Sequence, residues 1–468
     1  MKKILALALA LLMVVSMFAG CGEKPVAPAD TSVAPATAAP ATEAAPTPEP
    51  PKEVGGKLVV WSFTDEVAKM VDNYLRNDLP NIQIEFTMAP SDVYQSKLKP
   101  VLQSGQDAPD VFTLEQAYVR AYPDTGWCLD VTDLLPQAKA AGMAQYPIDI
   151  MTDATGKVRG YSWQCTPGAY FYRRSLAKQY LGTDDPAQVQ EMVKDVPAFL
   201  ATAQKLYDGS GGNVKMVTNG DLFNPFKAGR KQGWIVDGKL VIDQNMLDLA
   251  DLQKTLKDKK FDNGASPWDA SWFSSMNDTL KDEKGNPVYT FGYFLPTWGL
   301  HYVLKTNCEV KQDDKVISTT AGDWAMVKGP FGYFWGGTWY AAYVNTTNPD
   351  AAKELIAYCT MNEDFLTKYA TAPTTVSGSG DFVSSMNVVN KIKDTFSEPF
   401  LGGQNHYAQF ATMIDSINGA TMTGSDQEID AFWQNNMALY LTGEKTKDEA
   451  IATFKSDVAN QFPDLTVE

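Results

Sequence analysis

The chain has 468 residues and a formal net charge of −16, with 11 Trp, 20 Tyr and 22 Phe. No basic stripe is available to neutralise phosphates, which excludes nucleic acid as a partner, and the acidic excess keeps the body off an anionic membrane surface. Five cysteines without a CxxC pair argue against a metal cluster.

Lys2 and Lys3 precede an apolar run from Ile4 to Ala19 that stops at Gly20 and Cys21. A positive start, an apolar middle and a small-residue cleavage point read as a secretory signal over residues 1–20. The run is shorter than the roughly 20 residues needed to span a bilayer. The sequence "FAGC" resembles a bacterial lipobox, in which cleavage leaves the cysteine first and lipid is attached to it, although Phe18 stands where leucine is usual. That resemblance implies lipidation of Cys21 and a tether to the extracellular face of the cell membrane, each buried CH₂ contributing about 0.8 kcal/mol. Residues 21–55 are rich in Pro, Ala and Thr and nearly devoid of large apolar side chains. They are expected to form a disordered linker, semi-extended by proline, with a reach on the order of 100 Å.

The remaining body of about 410 residues is too long for one core and suits two lobes. Lys57 to Trp61 reads as a buried strand. Val67, Met70, Val71, Tyr74 and Leu75 then fall at helical spacing, with Thr64 as the cap and Asp65 and Glu66 in the first turn. Ile82, Ile84 and Phe86 alternate as a second strand, and Asp110 to Glu115 forms a third. Strand, helix, strand, helix predicts an α/β domain with a parallel sheet. In such sheets ligands bind beyond the carboxyl ends of the strands, here Trp61–Glu66 and Glu115–Gln116. Further along, "YSWQCTPGAYFYRRSL" reads as an aromatic strand entry, and helices are predicted after Asp195, from Pro349 and Asp350, and after a capping box of Thr446 with Glu449.

The order of these elements resembles one family, the extracellular solute-binding lipoproteins of bacterial ABC importers for carbohydrates, with maltodextrin-binding proteins as distant relatives. The stretches that carry it are "GKLVVWSFTDE", "APDVFTLEQAYVRAYPDTGWCLDVTDLL", "GAYFYRRSLAKQYLG", "GDWAMVKGPFGYFWGGTWYAA", "NPDAAKELIAYCT" and "LTGEKTKDEAIATF", in collinear order across nearly the whole body. The resemblance implies a two-lobed periplasmic-binding-protein-like fold of type II, with discontinuous lobes joined by a hinge and a carbohydrate caught between them. The expected lobes are 56–165 plus about 300–365, and 166–299 plus about 366–468. The partners implied are a carbohydrate ligand and the permease subunits of an ABC transporter. The protein is expected to be a monomer that requires no cofactor or metal. The region 209–286, with "SPWDASWFSSMND", is less typical of the family.

A sugar site needs flat aromatic platforms for the C–H faces of the ring and planar polar groups for its hydroxyls. Glu115 and Gln116 follow the third strand and are candidates from position alone. Trp163 and Gln164 precede the expected crossing into the second lobe, where hinge packing is the competing reading. The resemblance implies a ligand-binding acid at Asp65, beside Trp61 and Glu66, although both acids also suit a helix N-terminus and Trp61 also suits a core. It further implies a polar sugar ligand at Asp221, where a simple turn acid is the competing reading, an aromatic under the sugar at Trp298 and a platform at Trp335. Gly336 and Gly337, inside an aromatic strand entry, are expected to give clearance where a ligand approaches the backbone, and Trp339 is either a second platform or the core side of the strand.

The two histidines, His301 and His406, have no ligand-spaced companions, so no metal role is expected. No nucleophile elbow, phosphate loop or zinc motif is present, and the chain reads as a binding protein and not an enzyme. A secreted glycan-degrading lipoprotein is the alternative, because Asp65, Glu115 and Asp221 could supply a carboxylate pair. The pairing of Cys128, Cys165, Cys308 and Cys359 cannot be read from spacing.

Overall fold

The computed structural model describes residues 54–372 and 382–468. The signal, Cys21 and almost all of the linker therefore lie outside the described residues. The labelled elements, in chain order, are β1 (Gly56–Ser62), α1 (Asp65–Met70), β2 (Ile82–Met88), α2 (Ser91–Ser104) and β3 (Val111–Glu115). They continue with β4 (Tyr161–Ser162), β5 (Gly168–Arg173), α3 (Phe223–Ala228), β6 (Gly292–Pro296), β7 (Trp324–Val327), β8 (Thr338–Ala342) and α4 (Asp426–Thr442).

Local signals placed the first elements well. Leu58 and Val60 of β1 are buried at period two, and Val67, Met70, Val71 and Leu75 line the inner face of α1 and the turn after it. Thr64 Oγ1 accepts from the Glu66 N–H at 3.2 Å, satisfying a donor the helix leaves free. Asp195 caps its helix by accepting from Ala198 N–H at 2.8 Å, and Thr446 and Glu449 form the expected capping box.

The first sheet has the order β2-β1-β3-β8-β4. Strands β1, β2 and β3 run parallel, as expected, but β8 is antiparallel to β3 and to β4, so the sheet is mixed. The reason is topological: β8 returns to this sheet after the chain has built the second one. The second sheet, β6-β5-β7, is antiparallel throughout.

That second sheet is a partition. Ala169 and Phe171 of β5, Tyr293 and Leu295 of β6, and Trp324 and Met326 of β7 pack into the core that also holds the first sheet. Their neighbours Tyr170, Tyr172, Phe294, Ala325 and Val327 pack into a second core with Phe199, Trp234, Trp433 and Phe454. Strand alternation thus assigns one face to each core. The stretch 382–422 sends Phe382, Leu401, Tyr407 and Met413 into the first core, while α4 joins the second through Ile429, Trp433 and Met437.

Cys128, Cys165, Cys308 and Cys359 are buried free thiols. Burial pushes the thiols of Cys128 and Cys359 up to about 12, which keeps them protonated and unreactive. Among the described residues no helix is long and apolar enough to cross a membrane. Among them no group of three or more His, Cys, Asp or Glu is placed so that it could hold a metal ion. The rings of His301 and His406 lie 5.8 Å apart, both buried, and burial lowers His406 to about 4, so it is neutral at physiological pH.

Candidate functional site

A cleft of about 710 Å³ opens where the carboxyl end of β3 faces α3, α4 and the turn at 266–268. Four of the expected residues line it: Glu115, Gln116, Asp221 and Trp335. They come from distant parts of the chain, brought together by the end of β3, a short helical turn at Asn219–Leu222 and the segment entering β8.

Trp335 is held by its backbone. Its N–H donates to Thr166 O at 3.1 Å, and Thr166 Oγ1 donates to Gly336 O at 2.8 Å. Gln116 ties the same turn to β3: its backbone N–H donates to Gly337 O at 3.1 Å, and its Oε1 accepts from Gly336 N–H at 3.3 Å. The two glycines have a steric reason other than the one expected. A Cβ on Gly336 would sit 2.5 Å from Trp298 Nε1, and one on Gly337 would sit 3.3 Å from the Trp339 ring; both glycines have positive φ. The clearance they supply is taken by tryptophans of the protein itself.

Trp298 stands behind Trp335, its Nε1 donating to Trp335 O at 2.9 Å and its ring packed edge-on at 5.3 Å. Trp268, which also lines the cleft, stacks on Trp298 with an interplanar angle of 14° and stands at 79° to Trp335. Trp268 is 53% exposed and has φ of 74°, a conformation that costs a bulky L-residue roughly 1–2 kcal/mol. Sequence reasoning missed it, although it lies in the aromatic stretch "SPWDASWF". Lys227 and Asp430 were missed as well, lining the cleft from α3 and α4.

The other expected residues lie elsewhere. Asp65 pairs with Lys69 at 2.9 Å within α1, and Glu66 accepts from the Tyr369 hydroxyl of the helix Glu363–Thr371. Trp61 packs against the first core and its carbonyl accepts from Tyr94 at 3.2 Å. Trp163 is fully buried against Tyr340, and Gln164 is buried beside Val383 in an isolated bridge. Trp339 is buried on the core side of β8, its Nε1 donating to Pro147 O at 2.8 Å.

The electrostatics of the cleft are uneven. Lys227 is committed to Asp430 and lies 3.8 Å from Asp426, which also binds Arg230 at 3.2 Å. Trp234 Nε1 donates to the other oxygen of Asp430 at 2.7 Å. Burial raises Asp430 above the usual carboxylate range, with Lys227 opposing. Asp221 is 2% exposed, and neither carboxylate oxygen has a hydrogen-bond partner. Burial holds its carboxyl well above the usual range, which the neighbouring Trp272 only partly opposes.

Burial also raises Glu115 to about 7, against backbone N–H groups of Ala117 and Gln116 and the charge of Lys227. A raised carboxyl stabilises the fold most below about pH 4.5 and loses that contribution as pH climbs through 7. Glu115→Gln is therefore expected to flatten the decline of melting temperature between pH 5 and 7.5. It should raise the midpoint at pH 7.5 by roughly 1–2 °C in differential scanning calorimetry. An unchanged pH profile would contradict the shift.

Sequence comparison with curated proteins finds no match. A family model described as bacterial extracellular solute-binding protein matches residues 69–386, well over half of the chain. Among solved structures, an extracellular solute-binding protein of family 1 superposes with a TM-score of 0.73 at 17% identity, covering 86% of this chain and 99% of its own. The galacto-N-biose/lacto-N-biose I-binding protein of the Bifidobacterium longum ABC transporter, in complex with lacto-N-biose, gives 0.65 at 19% identity, covering 88% and 99%. The GacH receptor of Streptomyces glaucescens, described unliganded and with acarbose, gives 0.64 at 16% identity, covering 88% and 100%. These likenesses establish the two-lobed, type II periplasmic-binding-protein-like α/β fold. With the family match over residues 69–386, they place this chain in the bacterial extracellular solute-binding protein family.

Proposed function

We propose that this protein captures a carbohydrate, an oligosaccharide, between its two lobes and delivers it to the permease subunits of an ABC transporter. The observation that carries the reading is the make-up of the cleft. Two indoles at nearly a right angle, Trp268 and Trp335, stand beside planar polar side chains, Glu115, Gln116, Asn219 and Gln253. Indole faces cover the C–H face of a pyranose, and carboxylate and amide groups satisfy its hydroxyls. The structural neighbours that carry lacto-N-biose and acarbose support the same reading.

The lobes are taken as 56–165 with about 300–365, and 166–299 with about 366–468, with side chains of 382–422 reaching across to the first core. A solute touching both lobes favours the closed arrangement in proportion to its differential affinity. Gln95 of α2 already meets Gln427 of α4, its Nε2 donating to the partner's Oε1 at 3.2 Å. Signal cleavage before Cys21, lipidation there and the stalk through residue 55 would hold a monomer at the outer face of the cell membrane. The site residues proposed are Glu115, Gln116, Asp221 and Trp335, with Trp298 as the backing layer.

The chemistry is binding without turnover. Thermal-shift screening against plant and host oligosaccharides is expected to raise the melting midpoint for a subset, by mass action on the folded state. Chromatography should then recover the sugar intact. Release of shorter sugars would favour a glycan-degrading lipoprotein, and the absence of any saturable binder would reject carbohydrate capture.

A further inference from the structure

We infer that the solute is a linear saccharide chain of about four rings, which lies lengthwise along α4 and leaves the cleft beside Thr442. The inference rests on the carbohydrate reading above and adds the chain's length, path and direction.

Gln427, Ala431, Gln434, Ala438 and Leu441 of α4 all line the cleft. Steps of four and three residues put them on one helix face, and every one except the partly buried Leu441 is exposed. At 1.5 Å per residue the stripe from Gln427 to Leu441 runs about 21 Å. Successive glycosidic oxygens of a pyranose chain stand roughly 5 Å apart, because each ring is crossed by single bonds of about 1.5 Å. The stripe therefore matches about four rings laid end to end. The cleft volume of about 710 Å³ agrees, lying in the upper half of the range for ligand sites, about 300–1,000 Å³. Ala431 and Ala438 leave room where a larger side chain on the same face would stand in the groove.

The two ends of the groove differ. Of the strands of the first sheet only β3 lines it, through Glu115, which is close enough to Lys227 to feel its charge. Lys227 binds Asp430, and Gln116 ties down the turn that carries Trp335. Gln95 of α2 bonds to Gln427 at this same end, at 3.2 Å. One terminus of the saccharide meets these groups. Beyond Asp430 the lining on α4 holds no carboxylate: it offers the Gln434 amide, the Thr442 hydroxyl and the apolar Ala438 and Leu441. Amide and hydroxyl groups pair with ring hydroxyls, and small apolar side chains cover C–H faces. Thr442 is exposed and is the last residue of α4, so the wall ends in solvent on that side. Continuity with the Trp335 end makes the same saccharide the occupant of this second half.

Calorimetric titration of the full chain with linear gluco-, manno-, galacto- and xylo-oligosaccharides, from one ring to six, reads the length directly. In a series that binds, affinity is expected to climb at least about tenfold from disaccharide to tetrasaccharide and to level off beyond it. Ala438→Leu obstructs the far half with a good helix former at an exposed position, and Gln434→Ala removes its amide. Each variant should melt like the wild type, weaken the tetrasaccharide at least about fivefold and leave the disaccharide within about twofold. A disaccharide that binds as tightly as the tetrasaccharide would overturn the inference and leave carbohydrate capture standing. A gain with length that both variants retain would overturn the path along α4. Binding by no member of any series would overturn both the inference and the carbohydrate reading.

Discussion

Trp335→Ala is expected to weaken oligosaccharide binding by well over tenfold while leaving the protein folded. The indole lines the cleft, and its backbone is pinned on both sides by Thr166 and Gln116, so the ring is presented and not merely tolerated. Loss of about 100 Å² of sugar-facing surface at about 25 cal/mol per Å² forfeits roughly 2.5 kcal/mol, against about 1.4 kcal/mol for each tenfold in affinity. The fold should survive because Trp335 is only partly buried and borders both cores without filling either. Calorimetric titration with a sugar that binds the wild type, alongside a thermal melt, measures both effects. Unchanged affinity would show that the ring is packing and no more.

Gly336→Ala is expected to destabilise the protein by about 3 kcal/mol and to disorganise the aromatic wall. The added methyl would meet Trp298 Nε1 at 2.5 Å, where the indole donates to Trp335 O at 2.9 Å, and the residue's φ of 80° penalises any Cβ. Overpacking costs about 1–3 kcal/mol and a left-handed non-glycine residue about 1–2 kcal/mol. Chemical denaturation should show the loss, and near-ultraviolet circular dichroism should lose tryptophan signal. A variant as stable as the wild type, with its indole spectrum intact, would contradict the packing described at Trp298.

Much of the fold was legible because its signals are local. Thr64, Asp195 and the Thr446–Glu449 pair cap helices with atoms a few residues away, so their roles need no knowledge of the tertiary structure. The antiparallel entry of β8 was not legible, since it depends on where the chain goes between residues 173 and 338. The same limit governs the site. Glu115 and Gln116 follow from the rule that parallel strands end at the ligand. The three tryptophans Trp163, Trp335 and Trp339 look alike in sequence, yet only Trp335 reaches the cleft. Trp339 pairs with Leu114 and Ser162 in the sheet, and that register turns its indole inward. Trp268 depends on a turn that tertiary contacts hold in place. Pro267 packs so close to Gly220 that a Cβ there would stand 2.6 Å from the proline ring, and Trp298 supplies the stacking surface. No local propensity announces such a conformation.

A saccharide bound by this protein is expected to occupy the cleft walled by Trp268 and Trp335. Iodide quenching of tryptophan emission tests it most directly, because Trp268, at 53% exposure, is the large aromatic most open to a solvent-borne quencher among the described residues. Saturation with an oligosaccharide that binds should remove most of the quenchable component and return it when the sugar is dialysed away. Saturable binding that leaves the quenching unchanged would place the sugar outside this cleft.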